Sequence, residues 1–138
     1  MKIKIYLKDW TVIERRDVVV APPDLAFLVI PYETQKPSDV FENILNAREF
    51  AKKIWAKGIA VICPQLNALF LDSTIDKDIL QLGHQQMLRA CDLVVISDDW
   101  YTQDWCKAAV TLARQLQLPI TDTNLSSVSD IELGRNIQ

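Results

Sequence analysis

The fold is decided by a stretch that begins Ala26-Phe27-Leu28-Val29-Ile30-Pro31 and ends Gly58-Ile59-Ala60-Val61-Ile62-Cys63-Pro64-Gln65-Leu66-Asn67. Both of its apolar runs lack alternation, which is typical of parallel strands buried on both faces. Between them, apolar residues recur every three or four positions and predict one face of a helix. These residues are Val40, Ile44, Ala47, Ala51 and Ile54. A strand, a helix and a strand in this order predict a parallel pair joined by a right-handed crossover.

The predicted helix has recognisable signals at both ends. Ser38 is the expected N-cap, and Asp39 and Glu42 place negative charge in the first turn, where the helix dipole favours it. At the other end, Gly58 follows Lys57 and can adopt the left-handed conformation that terminates a helix.

The rest of the chain continues the alternation of helices and strands. It predicts a helix from Asp76 to about Ala90, a strand over Asp92–Ser97, a helix from Asp104 to Leu116 and a short strand over Leu118–Thr121. The tail from Ser127 to Gln138 is expected to hold a short helix or to be partly mobile. This pattern indicates an α/β protein with a doubly wound parallel sheet.

The amino-terminal 23 residues form an extension of a different kind. Ile3, Ile5 and Leu7 alternate with polar residues, and Val18–Val20 is a second apolar run. They predict a β-hairpin that turns near Lys8–Trp10 and that extends the sheet edge, covers it or pairs with a second subunit. We expect one domain over 1–138, with the hairpin extension at 1–23, a core at 26–121 and a tail at 123–138.

Composition narrows the possible functions. The chain has 138 residues, is 49% hydrophobic and carries a net charge of -3 without a basic stripe, which disfavours nucleic-acid binding. It has no apolar run of the roughly 20 residues that span a bilayer and no signal-peptide core, so we expect no membrane partner and a cytoplasmic location. Only three glycines occur, none directly after the first strand, so we expect no nicotinamide, flavin or other cofactor.

The three cysteines do not have the spacing of a metal site. Cys63, Cys91 and Cys106 lie far apart, and His84 is the only histidine. We therefore expect no metal, and we expect the cysteines to act as small buried hydrophobic residues.

A doubly wound sheet binds ligands beyond the carboxyl ends of its strands, where the strand order reverses. Two loops, Pro31–Pro37 and Asp98–Gln103, should face each other there. They could supply carboxylates and a surface for stacking a planar ring through Tyr32, Glu33, Asp98, Asp99, Trp100 and Tyr101. The alternative is that Trp100 and Trp105 pack a helix against the sheet and that the two aspartates are solvated.

The order and spacing of several segments resemble the nucleoside 2-deoxyribosyltransferase-like superfamily, and in particular its small bacterial and phage domains. The segments are Ile30-Pro31-Tyr32, Asn43, Ala56–Asn67, Cys91–Val95, Trp100 and Leu112–Leu116 with Pro119. The resemblance covers about Ala26 to Thr121. It implies a flavodoxin-like (Rossmann-like) fold, frequent dimerisation, and a nucleoside or nucleotide as the small-molecule partner. Active members use a carboxylate as a nucleophile at the sugar's anomeric carbon.

The chain departs from the family where the chemistry should be. Members typically have Gly-Trp-Glu-x-Ser-x-Gly-Ala-x-x-Glu, and the matching segment here is Asp99–Ala109. The resemblance therefore places Ala109 at the nucleophile, Trp105 at a glycine, Gln103 at a serine and His84 at an acidic residue. An alanine cannot form a glycosyl-enzyme.

Three hypotheses follow. The first is a non-catalytic binder of a nucleoside-like ligand, a pseudoenzyme. The second is an active N-glycosidase or transferase that uses a relocated carboxylate, namely Asp98, Asp99 or Asp104. The third is an assembly protein, in which Trp105 fills the pocket and the hairpin at 1–23 builds an interface. Under any of the three we expect a homodimer or higher homo-oligomer.

The candidate site residues follow from the loops and the resemblance together. Asp98, Asp99 and His84 are the catalytic candidates; a lone histidine on a helix is also often a surface or packing residue. The ligand-binding candidates are Tyr32, Asn43, Asn67, Asp98, Trp100 and Gln103. Asn43 and Asn67 could equally bond the local backbone.

Overall fold

The computed structural model describes residues 3–6, 12–15, 24–31, 37–68, 71 and 74–137. Its strands are β1 (Ile3–Tyr6), β2 (Val12–Arg15), β3 (Leu25–Val29), β4 (Ala60–Ile62), β5 (Leu93–Ile96) and β6 (Ile120–Thr121). Its α-helices are α1 (Pro37–Ala56), α2 (Pro64–Asn67), α3 (Lys77–Arg89), α4 (Asp104–Gln115) and α5 (Asp130–Ile137). A 3₁₀ turn, Trp100–Thr102, precedes α4.

The central sheet has four parallel strands in the order β4-β3-β5-β6. From β3 the chain moves outward to β4 and then returns to place β5 on the other side of β3. The strand order therefore reverses between β3 and β5, and the loops after these two strands are neighbours. This arrangement confirms the predicted α/β fold with a parallel, flavodoxin-like sheet.

Helices cover both faces of this sheet. On one face, α1 packs through Ala47, Ala51 and Ile54 against alternate residues of β3, including Leu28. On the other face, α3 and α4 pack against the remaining residues of β3 and β5, and Leu133 of α5 joins this second core. Because both faces are buried, the strand residues Ala26 to Val29 are all apolar, as expected for a central parallel strand.

Most predicted helices and their ends are confirmed. Gly58, the second residue after the end of α1, has a φ of 82°, and the Asp76 side chain caps α3 by accepting a 2.8 Å hydrogen bond from the amide of Asp78. The N-cap prediction for Ser38 was wrong, because α1 already begins at Pro37. Proline is well accommodated in a first helical turn, where its missing N–H would have no helical acceptor.

Two features differ from the sequence prediction. The antiparallel hairpin is present, but its second strand is β2, with Tyr6 opposite Val12 and Ile5 opposite Ile13. The predicted strand Val18–Val20 lies outside the described residues. The short helix α2 directly after β4 was not predicted, because four residues carry no helical periodicity.

The cysteine prediction is confirmed. Cys63, Cys91 and Cys106 are all buried and none forms a disulfide. Among the helices that the structure describes, none combines the length and the apolar character needed to cross a membrane.

Candidate functional site

An open cleft lies at the point where the strand order reverses, and we call it the switch-point cleft. It has a volume of about 490 Å³, within the range of small-molecule sites. Its lining residues are Pro31, Asp39, Glu42, Asn43, Asn46, Asp99, Thr102 and Gln103. The first half of α1 forms one wall and the segment after β5 forms the other.

The wall after β5 is organised by Asp99. The Ser97 hydroxyl donates a 2.7 Å hydrogen bond to the Asp99 carboxylate. The Asp99 carbonyl in turn accepts hydrogen bonds from both the amide and the hydroxyl of Thr102, at 3.1 and 2.8 Å. Because Ser97 is anchored to β3 through a hydrogen bond from its amide to the Val29 carbonyl, Asp99 is positioned relative to the sheet.

The opposite wall is the polar side of α1. Asp39, Glu42, Asn43 and Asn46 follow one another at spacings of three, one and three residues, so they share one side of the helix. This side presents two carboxylates and two amides. Carboxylates accept hydrogen bonds and amides both accept and donate them, so the wall suits a ligand with several hydroxyl groups.

The base of the loop between β3 and α1 is held by Gln65. This side chain is buried, and its amide donates a hydrogen bond to the carbonyl of Ile30, the residue before Pro31. The thiol of Cys63 donates to the Gln65 amide oxygen at 3.3 Å. Helix α2, which follows β4, therefore fixes the backbone at the end of β3, where the switch-point cleft begins.

Asp98 faces a different cleft from Asp99. This second cleft, the side cleft, has a volume of about 290 Å³ and lies between the ends of β5 and β6 and helix α5. Its lining residues are Ile96, Ser97, Asp98, Trp100, Asp122, Ser127, Val128, Glu132 and Asn136. The two adjacent aspartates that the sequence placed in one site are thus divided between two sites.

His84 and Ala109 share a third and much smaller space, the seam cavity, between α3 and α4. Its volume is about 30 Å³ and its lining residues are Phe27, Gln81, His84, Gln85, Leu88, Trp105, Ala108 and Ala109. The Trp105 indole donates a 2.9 Å hydrogen bond to the Gln103 side chain. A cavity of this size is about one tenth of the smallest typical ligand pocket, so it holds no nucleoside.

The remaining candidates lie as follows. Asn43 and Gln103 line the switch-point cleft. The Asn67 amide nitrogen lies 3.3 Å from the Met87 sulfur, on the side of α3. Trp100 is buried in the core between β5 and α4, with an edge toward the side cleft. Tyr32 lies outside the described residues.

A larger groove lies away from the strand ends that bind ligands in such folds. It has a volume of about 780 Å³ and lies at the amino end of β6, beside the exposed ion pair of Arg114 and Asp130. We favour the switch-point cleft despite its smaller size, because α/β sheets bind ligands at the carboxyl ends of their strands. Within the described part of the chain, no three His, Cys, Asp or Glu residues are arranged to hold a metal ion.

No protein-family model and no curated protein matches this chain. A match is found among solved structures. The fold is similar to that of a 2-deoxyribosyltransferase. That protein, from the psychrotolerant bacterium Bacillus psychrosaccharolyticus, superposes with a TM-score of 0.51 at 13% sequence identity, and the match covers 82% of each chain. It is described as a biocatalyst for the synthesis of antiviral and antitumoral nucleosides.

The likeness to this transferase concerns the fold alone. The residues that sequence analysis missed are Asp39, Glu42, Asn46, Ser97 and Thr102. The sequence pattern could have indicated Asp39, Glu42 and Asn46, because they recur at helical spacing on the side of α1 opposite its apolar face. No sequence pattern indicated that Ser97 would hold Asp99.

Proposed function

We propose that this chain binds an uncharged nucleoside-like ligand in the switch-point cleft and does not form a glycosyl-enzyme. The observation that carries the proposal is the polar lining of this cleft, built around the Ser97–Asp99 hydrogen bond. The fold shared with a 2-deoxyribosyltransferase supports a nucleoside as the class of ligand.

The charge of the lining favours a ligand without phosphate. Asp39, Glu42 and Asp99 bring three carboxylates to the cleft, and none of its described lining residues is Lys or Arg. The amino end of α1 would otherwise attract an anion, but Asp39 in its first turn offsets the helix dipole. A 5′-phosphate would meet like charges, whereas sugar hydroxyls can donate hydrogen bonds to the same carboxylates.

Ala109 disfavours a glycosyl-enzyme, because its methyl side chain has no nucleophilic atom. The resemblance places this alanine at the nucleophile, and the seam cavity around it is too small for a sugar. An N-glycosidase with a relocated carboxylate remains the second candidate. Of the three aspartates suggested as its relocated carboxylate, only Asp99 lines the switch-point cleft. Asp98 lines the side cleft, and Asp104 lies in the first turn of α4.

Isothermal titration with adenosine, deoxyadenosine, thymidine and their 5′-monophosphates tests the proposal. We expect nucleosides to bind more tightly than the monophosphates. The Asp99→Asn variant should lose about 10- to 100-fold in nucleoside affinity, the value of a charge-assisted hydrogen bond. Asp98→Asn is the matched control, because it removes the same charge one residue away in another cleft.

Two results would contradict the proposal. If no nucleoside binds at millimolar concentration, the cleft is not a nucleoside site. If chromatography detects free base after long incubation, and Asp99→Asn abolishes its release, the protein is an N-glycosidase that uses Asp99.

A further inference from the structure

Helix α1 carries apolar side chains on a side that does not pack against the sheet. Phe41, Leu45 and Trp55 are 66%, 41% and 55% exposed. The same helix already packs on the sheet through its buried side, which includes Ala47 and Ile54. The core of the protein therefore does not explain the three exposed residues, and a row of such side chains indicates a contact surface.

The three exposed apolar residues lie on one line along α1, with two basic residues between them. The line consists of Phe41, Leu45, Arg48, Lys52 and Trp55, which follow at intervals of four, three, four and three residues and so share one side of the helix. We call these five residues the outer stripe. All five are exposed, and at the rise of an α-helix the stripe is about 20 Å long.

The charges of α1 are divided between its two halves. In the amino-terminal half, the acidic residues Asp39 and Glu42 line the switch-point cleft. Over residues 48–57, four basic residues stand against one acidic residue, which gives a net charge of +3 in a chain whose net charge is -3. These residues are Arg48, Lys52, Lys53 and Lys57 against Glu49.

The surroundings of the outer stripe do not cancel this positive charge. Among the described residues, none of the four basic side chains takes part in an ion pair. The neighbouring elements β4 and α2 contain no charged residue. Asp24, whose carbonyl accepts a hydrogen bond from the Ala60 amide, is an acid at the amino end of the sheet and lowers the charge without reversing it. The stripe is therefore complementary to an anionic partner.

The composition of the outer stripe fits a lipid surface better than a folded protein. Lysine is depleted from the centres of protein interfaces, where its charge loses water. At a bilayer surface, the hydrocarbon parts of Arg48 and Lys52 can lie beside apolar groups while their charged ends reach lipid phosphates. Tryptophan and other aromatic rings are enriched at the same depth.

We propose that the outer stripe binds the protein to the surface of an anionic lipid bilayer, with Phe41, Leu45 and Trp55 inserted at the level of the headgroups. The expectation of no membrane partner rested on spanning segments, and a helix that lies on the surface needs none. Asp39 and Asn43, which line the switch-point cleft, lie on the opposite side of α1. Lipid binding therefore leaves this cleft accessible and does not depend on its ligand.

Co-sedimentation of the full chain with large unilamellar vesicles tests the proposal. We expect the protein to bind vesicles of phosphatidylcholine that contain about 30% phosphatidylserine, and to bind phosphatidylcholine alone at least about tenfold more weakly. Raising the salt from about 0.05 M to about 0.5 M should release it, because salt screens the attraction. If the protein does not bind the anionic vesicles at about 1 mM lipid, the proposal is overturned and an acidic protein becomes the expected occupant of the outer stripe.

Variants with matched controls test whether the apolar residues of the outer stripe make the contact. The Phe41→Ser/Trp55→Ser variant should bind the anionic vesicles at least about tenfold more weakly, because it loses apolar area that leaves water. Ile79→Ser/Leu82→Ser is the control, since it removes two similarly exposed apolar residues from α3 and should bind like the natural protein. Equal losses in the two variants would overturn the assignment to α1.

A second pair of variants tests the charges. Lys52→Gln should weaken binding about fivefold, the effect of one basic residue at an anionic membrane surface. Lys77→Gln, which removes the same charge from an exposed position on α3, should leave binding unchanged. Unchanged binding in Lys52→Gln would contradict the role of the outer stripe.

Fluorescence quenching by lipids with brominated acyl chains tests insertion. With lipid in excess, so that the protein is bound, such vesicles should quench the natural protein more than the Trp55→Phe variant, because bromine quenches rings that come near the acyl chains. Trp100 is buried and should contribute little. Equal quenching of the two proteins would show that Trp55 stays in water and would overturn the proposed contact.

Discussion

The Ser97 hydroxyl donates a 2.7 Å hydrogen bond to Asp99, and this contact orients a carboxylate at the wall of the switch-point cleft. Ser97 is buried at the end of β5, whereas Asp99 is exposed. A buried donor attached to a rigid strand fixes one oxygen of the carboxylate. The ligand then meets a positioned acceptor rather than a freely rotating side chain, which reduces the entropy lost on binding.

Replacing Ser97 by alanine should therefore weaken ligand binding without abolishing it. We expect Ser97→Ala to lower nucleoside affinity about 3- to 10-fold, because the carboxylate stays but loses its orientation. Isothermal titration measures the change, and Ser97→Thr, which keeps the hydroxyl, should restore most of the affinity. An unchanged affinity in Ser97→Ala would show that this hydrogen bond does not prepare the site.

Gln65 should matter for stability more than any exposed glutamine. Gln65→Leu removes the donor to the Ile30 carbonyl and the acceptor for the Cys63 thiol, both in a buried environment. We expect the free energy of unfolding to fall by about 1–3 kcal/mol, the cost of leaving buried polar groups without partners. Urea unfolding measures it, and Gln115→Leu on the exposed end of α4 is the control. Equal stability of the two variants would contradict this role.

The parts of the fold that rest on periodicity were predictable from the sequence. The apolar face of α1, the caps at Asp76 and Gly58 and the continuous apolar strands all depend on neighbours in sequence, so local patterns predict them. The general rule for doubly wound sheets also predicted that the loops after β3 and β5 face each other where the strand order reverses. The location of the switch-point cleft followed from the sheet order.

The direction of individual side chains was not predictable in the same way. Asp98 and Asp99 are adjacent in sequence, yet they face two clefts because the backbone enters a 3₁₀ turn directly after them. The sequence interpretation of Trp100 also left stacking and packing open. The structure buries this ring under α4, since a large apolar surface at the end of β5 is more stable in the core than in a solvated cleft.

Ala109 provides a test of the seam cavity. The Ala109→Glu variant should gain no base-release activity toward nucleosides and should be less stable than the natural protein. The new carboxyl group would lie in a cavity of about 30 Å³ lined by Phe27 and Leu88, where desolvation disfavours its charge.

Thermal unfolding and base-release chromatography measure the two effects. Burial raises the pKa of a carboxyl group, so the buried glutamate costs less stability when it is protonated. The loss of stability should therefore be smaller at about pH 4, near the ordinary pKa of a glutamate, than at about pH 8, far above it. Ala108→Glu, at a half-buried neighbour lining the same cavity, should cost less. Base release by Ala109→Glu would contradict this account and show that a sugar does reach the seam cavity.

Cys91 should make the stability of the protein fall at alkaline pH. Burial, and then the neighbouring Asp92 carboxylate, raise the pKa of the Cys91 thiol from 9.0 to about 11. The folded chain therefore holds this proton more tightly than the unfolded chain, so the contribution to stability is fully present below about pH 9 and is lost as the pH rises to about 11. Burial also raises the pKa of Cys63, which adds a contribution of the same sign.

Urea unfolding at intervals between pH 8 and pH 11 measures this dependence, in the range where the thiols titrate. The Cys91→Ala variant should show a shallower decline, because only the other titrating groups remain. The thiol also donates a 3.2 Å hydrogen bond to the Met87 carbonyl, so the variant should be less stable at pH 8 as well. If the natural protein and Cys91→Ala decline in parallel over the whole range, the thiolate of Cys91 is not disfavoured by the fold. Such a result would mean that water reaches Cys91 between α3 and β5, despite its burial in the structure.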